Sequence, residues 1–148
     1  MKQKLTYRPA VFIVMYKIEE RKPIYLLLRR KLHWKGWEFP KGKIEKGESK
    51  VKAAKREARE ESGLRIIKIK KFNVSGKYKY SKLLADRPGY IGQTYTLFSA
   101  EVRPGKVKLD KKEHSGFSWQ PFKKAVKMLT WPDQKKCLKI VNKSLMKI

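Results

Sequence analysis

The sequence predicts an α/β fold in which a sheet is covered by helices on both faces. Three observations predict it. Strand-like segments recur at residues 8–18, 23–29, 65–71 and 90–102. A helical segment at residues 49–63 separates the second of these from the third. Two further helical segments close the chain, each opened by a proline. Strands interleaved with helices in this way bury a sheet from both sides.

The segments take their character from particular residues. Residues 8–18 hold the apolar run 10–16, which reads as a buried strand. Residues 23–29 form the next strand, after a charged turn at 19–22. Residues 30–48 read as one long loop carrying Trp34, Trp37 and Pro40, and such a loop in a compact domain is usually functional. Ser49 caps a helix that runs to about Ser62, and Gly63 stops it. Val51, Ala54 and Ala58, three and four apart, are its expected buried stripe. Residues 65–71 alternate, with Ile67 and Ile69 facing one way, and residues 72–80 continue that strand. Residues 82–89 are a turn or insertion. Residues 90–102 form a strand centred on Leu97 and Phe98, and 116–119 a short extended piece. Pro121 is placed at N1 of a helix with the stripe Phe122, Ala125, Val126 and Leu129. Pro132 opens the last helix, which buries Leu138, Ile140, Val141 and Leu145.

Composition narrows the class. The 148 residues suffice for a single domain, 1–148, and no linker, repeat or low-complexity tract divides them. The longest apolar runs are far too short to span a bilayer, so no membrane partner is expected. Residues 1–8 lead straight into a strand and do not resemble a signal peptide. The single cysteine, Cys137, excludes an internal disulfide, fits a reducing cytoplasm, and reads as a packed thiol. Two histidines and one cysteine leave little from which to build a structural zinc site. The net charge of +26 attracts polyphosphates and nucleic acids. The lysines are spread over every segment, however, so charge alone does not choose a substrate.

The most informative window is residues 42–64, GKIEKGESKVKAAKREAREESGL. Glu57, Glu60 and Glu61 share one helix face at spacings of three and four. Carboxylates that close repel unless a cation lies among them, and an all-oxygen set suits Mg²⁺, or Mn²⁺. The ordinary alternative is a solvated face paired with Lys50, Lys52, Lys55 and Arg59. A chain poor in acid that concentrates its carboxylates here argues for chemistry instead. Gly42 and Gly47 flank a tight loop. The helix N-terminus, with Lys41 and Lys43 beside it, reads as a phosphate cradle.

Gly42, Glu48, Arg56, Glu57, Ala58, Glu60, Glu61, Gly63 and Leu64 fill all nine fixed positions of the Nudix box, and the chain resembles the Nudix hydrolases. The resemblance implies an α/β/α sandwich with a mixed β-sheet. It also implies a divalent metal and cleavage of a nucleoside diphosphate linked to another group. Glu57, Glu60 and Glu61 become metal ligands, with Glu57 alternatively the base that activates water. Glu57, Arg56 and Glu61 are the expected catalytic residues. Arg56 orients a glutamate, and Glu48 braces the loop or adds an outer ligand; Gly42, Glu48 and Gly63 are the structural positions of the box.

Three flanking strings, WEFPKG at 37–42, EHSGFSWQP at 113–121 and LTWPDQ at 129–134, are similar to those of asymmetric diadenosine tetraphosphate hydrolases. On that likeness Lys41 neutralises a long phosphate chain, His33 contacts phosphate, and Glu113 supplies a further metal ligand or base. Tyr78, Tyr80 and Phe117 are the candidate stacking platforms for a base. Gln93 stands where relatives often carry Lys, and Arg87 is a candidate replacement. The leading expectation is cleavage of diadenosine tetraphosphate to ATP and AMP. The rivals are an RNA 5′-pyrophosphohydrolase or decapping-like enzyme, whose RNA 5′ end suits the basic surface, and a nucleoside triphosphate pyrophosphatase. A basic nucleic-acid-binding module is the non-enzymatic alternative. Oligomeric state is left open.

Overall fold

The computed structural model describes residues 5–146; residues 1–4, expected to lead into the first strand, lie outside the described residues. Two long strands lie at its centre, β1 (Thr6–Glu19) and β6 (Tyr90–Val102), and they pair in parallel. β2 (Lys22–Arg30) pairs antiparallel with β1, and β5 (Ile66–Lys79) antiparallel with β6. The sheet is therefore mixed, in the order β3 (Gly36–Glu38), β2, β1, β6, β5. β3 and β7 (His114–Pro121) both pair with β2, and β4 (Lys41–Lys43) pairs with β1.

The continuous apolar run in β1 has a direct structural reason. Val11, Ile13 and Met15 face one core with Ala53, Ala54 and Ala58 of helix α1 (Lys50–Ser62). Phe12, Val14 and Tyr16 face the other, against α2 (Phe122–Met128) and α3 (Pro132–Leu145), which bring Ala125, Cys137, Leu138 and Val141. A strand covered on both faces needs apolar residues at every position. Each large aliphatic or aromatic side chain buried in these cores contributes about 1.5–3 kcal/mol. The α/β/α layering expected from the sequence is present.

Four local expectations are corrected. Residues 30–48 are not one loop, because β3 and β4 form within them. Val51 is exposed and Ala53 takes its place in the stripe, so α1 packs through alanines that bring it close to the sheet. Ile67 is also exposed: the pairing of β5 with β6 shifts register between Ile66 and Lys68, a bulge that turns Ile66 and Ile69 to the core. Pro121 ends β7 and is the N-cap of α2, one position before N1. By contrast, Pro132 does open α3, and Ser49 caps α1 by accepting from Lys52 N at 3.2 Å. The charged turn at 19–22 is a two-residue hairpin connection, with φ of 49° at Glu20 and 65° at Arg21, both positive as a type I′ turn requires. No helix among the described residues is long and apolar enough to cross a membrane.

Candidate active site

β4 crosses directly over the carboxylate face of α1. A Cβ on Gly42 would sit 2.0 Å from Glu57 Cδ, so any other residue there has to push the Glu57 carboxylate aside. The next residue back, Lys41, donates its backbone N–H to Glu61 Oε2 at 3.1 Å. Gly42 is thus needed for close approach. The φ of 79° at Gly47 and of 70° at Gly63 serve the turn before α1 and its left-handed end.

Arg56 organises the acids. Its Nε and Nη2 donate to the two oxygens of Glu48 at 2.8 and 3.0 Å, a two-pronged pair. Its Nη1 reaches Glu57 Oε1 at 2.6 Å and Glu60 Oε2 at 3.3 Å, and Nη2 also donates to Lys43 O. Glu48 in turn accepts from Glu45 N at 2.9 Å, which ties the loop to the helix. The Arg56 hydrogen bonds, then that backbone bond, hold Glu48 at a pKa of about 2.

Glu57 and Glu61 are shifted in the opposite direction. Burial pushes Glu57 up to about 7, against the pull of Arg56 and with help from Glu60 and Glu113. Burial first, then Glu38, Glu113 and Glu57, push Glu61 well above the usual carboxylate range. These acids resist ionising together until positive charge enters among them. Glu61, Glu113 and His114 each offer a ligand atom within 4.8 Å of the others. Glu57, Glu60 and Glu113 line one cleft of about 330 Å³. This crowded, oxygen-rich set fits a hard divalent cation.

Behind the carboxylates lies a buried network in which sequence reasoning had assigned no role to Arg30, Glu38 or His114. Arg30 Nη1 donates to Glu38 Oε2 at 3.1 Å and to Glu113 Oε2 at 3.3 Å. His114 Nε2 is 2.7 Å from the same Glu38 oxygen, and Lys41 Nζ is 3.2 Å from the other. Burial alone would raise Glu38; Lys41, the His114 hydrogen bond and Arg30 outweigh it and hold it at about 2. The sequence signal was an acid between two apolar residues in WEFP, since a charge there must be paired once buried.

Lys41 is consequently not beside the helix N-terminus, as expected, but near the opposite end of α1, almost fully buried. Lys43 is exposed, with Glu45 3.7 Å away. The expected cradle at the start of α1 is not formed by these two lysines. The Lys41 ammonium sits between aromatic walls instead, 5.8 Å from the Trp34 ring and 5.7 Å from the Tyr78 ring, and donates to Tyr78 Oη at 3.4 Å.

Those walls belong to a second cavity, of about 440 Å³, lined by Phe12, Trp34, Tyr78, Tyr80, Leu84 and Trp131, with His33, Asp133 and Gln134 also on its lining. It shares Arg30, Lys41 and Arg87 with the carboxylate cleft, so the two adjoin. Trp34 and Trp131 meet edge to face at 5.2 Å. Of the three aromatic residues singled out in the sequence, Tyr78 and Tyr80 are on this lining. Phe117 is not: it lies 44% exposed on β7, opposite Leu28. Trp34 and Trp131 were missed as candidates because 97 residues separate them and only the fold brings them together. His33 Nε2 is 3.0 Å from the Asp86 carboxylate.

A sequence profile described as the NUDIX domain matches residues 6–139. An RNA pyrophosphohydrolase from a Nitratiruptor species is 33% identical over 95% of this chain and 97% of its own. Among solved structures, an Ap4A hydrolase binary complex from C. elegans superposes with a TM-score of 0.78 at 21% identity, covering 95% of this chain and 99% of that one. The NUDIX domain of Shewanella oneidensis NrtR, complexed with ADP ribose, gives 0.75 at 17% identity, covering 99% and 91%. The chain belongs to the Nudix family.

Proposed function

We propose that the protein hydrolyses a nucleoside polyphosphate extended by a second group, with diadenosine tetraphosphate, cut to ATP and AMP, as the leading substrate. The observation that carries this is the adjacency of an aromatic cavity to a carboxylate cleft, with Arg30, Lys41 and Arg87 on the lining of both. A base stacks in the first, and its phosphates run into the second. Stacking on aromatic side chains contributes about 1–3 kcal/mol per base and tolerates different bases.

Glu60, Glu61 and Glu113 would hold Mg²⁺, with Mn²⁺ as a substitute, and Glu57 is the base. A divalent cation bound there neutralises phosphate charge and lowers the pKa of bound water. Arg56 occupies Glu57 Oε1, which leaves Oε2 to accept the proton of the attacking water. With its pKa near 7, Glu57 is matched to work at neutral pH. Arg30 fixes Glu113 from behind, and Lys41 N–H fixes Glu61. The roles of Lys41 and Tyr78 follow from their places at the junction, where they orient the first phosphate and the base.

A second reading is an RNA 5′-pyrophosphohydrolase. The RNA pyrophosphohydrolase that shares 33% identity favours it, as does the net charge of +26. Competition separates the readings. The protein is incubated with Mg²⁺ and equal concentrations of diadenosine tetraphosphate, 5′-triphosphorylated RNA and ATP, and the products are resolved by chromatography. Faster formation of ATP plus AMP from the dinucleotide supports the leading reading. Faster release of phosphate or pyrophosphate from RNA replaces it with the second. Preference for free ATP would overturn both, and no turnover with either Mg²⁺ or Mn²⁺ would favour a non-catalytic nucleic-acid-binding module.

A further inference from the structure

Helix α1 does not cover the whole sheet face on its side, because β1, β5 and β6 run on past its first turn. The register shows what lies beyond it. Thr94 pairs with Pro9 and Lys77, and Ser75 pairs with Thr96. Alternate residues further along β6, Phe98 and Ala100, are the ones packed with α1, so Thr94 and Thr96 share their face. A groove of about 370 Å³ is set there, with Ile44 and Lys50, the first residue of α1, also on its lining. It shares no lining residue with the aromatic cavity or the carboxylate cleft.

The face changes character along its length. Under α1 it is apolar, with Val11, Ile13, Phe98 and Ala100. Beyond α1 it offers the hydroxyls of Ser75, Thr94 and Thr96 and the ammonium groups of Lys50 and Lys77, and no carboxylate lines it. A packed helix would need apolar residues here, and a second copy would bring the same positive charge. The occupant that fits is a polyanion. Lys77 Nζ also lies 5.1 Å from the Tyr7 ring, which is half-buried on β1 beside Pro9. Lysines on an edge strand guard against stray strand pairing, but that purpose gives no use to an aromatic ring or a groove. One connection leads back to the site. Lys79, two residues along β5 from Lys77, is on the lining of the aromatic cavity, and β5 is the edge of the sheet.

We propose that this groove binds single-stranded RNA, as an accessory site separate from the one that cuts. Lys50, Lys77 and Lys79 meet the phosphates, Tyr7 stacks on a base, and the hydroxyls of Ser75 and Thr94 meet the ribose 2′-hydroxyl groups. A strand leaving the aromatic cavity crosses the sheet edge from Lys79 to Lys77 and enters the groove. The proposal goes beyond the reaction proposed above; under its RNA reading, the groove holds the body of a substrate whose 5′ end lies in the cleft.

The test is fluorescence anisotropy with a 3′-labelled, 5′-hydroxyl RNA of about ten nucleotides, within the span of common single-strand sites. Such an RNA has no 5′ phosphates to release, so binding is read apart from turnover. The variants are Tyr7→Ala, the double variant Lys50→Gln with Lys77→Gln, and a control of equal charge on α3, Lys139→Gln with Lys143→Gln. Tyr7→Ala should weaken binding about fivefold or more with its salt dependence unchanged. The groove lysines should lower the salt slope by about 1, and the control should change affinity less than about twofold. DNA of the same sequence should bind more weakly. Equal effects of the two lysine pairs would overturn the groove, because diffuse charge would then explain binding. Wild-type affinity in Tyr7→Ala, or DNA bound as tightly as RNA, would overturn it too. Should Tyr7→Ala fail to fold, the comparison of the two lysine pairs decides, since all four lysines are exposed. RNA held in the groove but never cut would sink the RNA reading of the reaction and leave the groove standing; RNA cut but not held there would do the reverse.

Discussion

The two halves of the site are built in opposite ways. The carboxylate cleft is dominated by one window, residues 42–64, in which Gly42, Glu48, Arg56, Glu57 and Glu60 hold one another within hydrogen-bond distance or near it. The aromatic cavity draws Trp34, Tyr78, Tyr80 and Trp131 from three distant parts of the chain. Phosphoryl chemistry needs acids fixed to fractions of an ångström, and a helix with one arginine at its centre supplies that locally. Base recognition needs only flat apolar surface at the right distance, which many segments can provide. The difference implies that substitutions in the first region act on kcat and those in the second on KM.

Glu57→Gln should separate the regions most strongly. Turnover is expected to fall about 10³-fold, within the range for loss of a general base. The melting temperature should hold or rise, because a carboxylate that burial makes hard to ionise is removed. Steady-state kinetics with calorimetry of nucleotide binding would check both; activity near wild type would refute the assignment. Next in size is Gly42→Ala. Its new Cβ has to displace Glu57 or β4, and a misplacement of about 1 Å costs about 10²-fold in kcat. A change confined to KM would place the clash outside the catalytic geometry.

Trp34→Ala probes the other region. Loss of one stacking wall should raise KM about tenfold with kcat nearly unchanged. Phe117→Ala, on the surface of β7, should change neither by more than about twofold. If the two variants behaved alike, the cavity would not be the base site.

The smallest effect expected is on stability against pH. Glu57 has a folded pKa of about 7 against an ordinary 4.5, so between those values the folded protein binds more protons than the unfolded chain. Stability of the metal-free protein should therefore fall as pH rises through that window. Glu61 acts in the same direction, and Glu38, held at about 2, loses its contribution only at lower pH. Because a cation binds the ionised acids, added Mg²⁺ should raise the melting temperature more at about pH 8 than at about pH 5. Equal stabilisation at both would count against Glu61 as a ligand.

The same contrast governs what the sequence disclosed. The layers of the fold were legible because apolar continuity in β1 and the caps at Ser49, Gly63 and Pro132 are local signals. The bulge that turns Ile66 inward was not, because it depends on pairing with β6. Within the site, the acids of α1 were legible from spacing alone. Lys41 was picked out correctly as unusual but was given the wrong neighbours. Its partners, buried Glu38 and half-buried Tyr78, arrive through β3 and β5. Gln93 was seen as a missing lysine, and its structural place as the acceptor shared by Arg8 and Arg87 required the sheet register.

The central claim is that the carboxylates of α1 hold the cation and perform the cut, while the distant aromatic walls only hold the base. The most direct measurement compares kcat and KM for diadenosine tetraphosphate with Mg²⁺ in wild type, Glu57→Gln and Trp34→Ala. The account predicts a collapse of kcat with little change in KM for the first variant and the reverse for the second. A Trp34 variant that loses kcat as deeply as the Glu57 variant, or a Glu57 variant that loses only affinity, would contradict it.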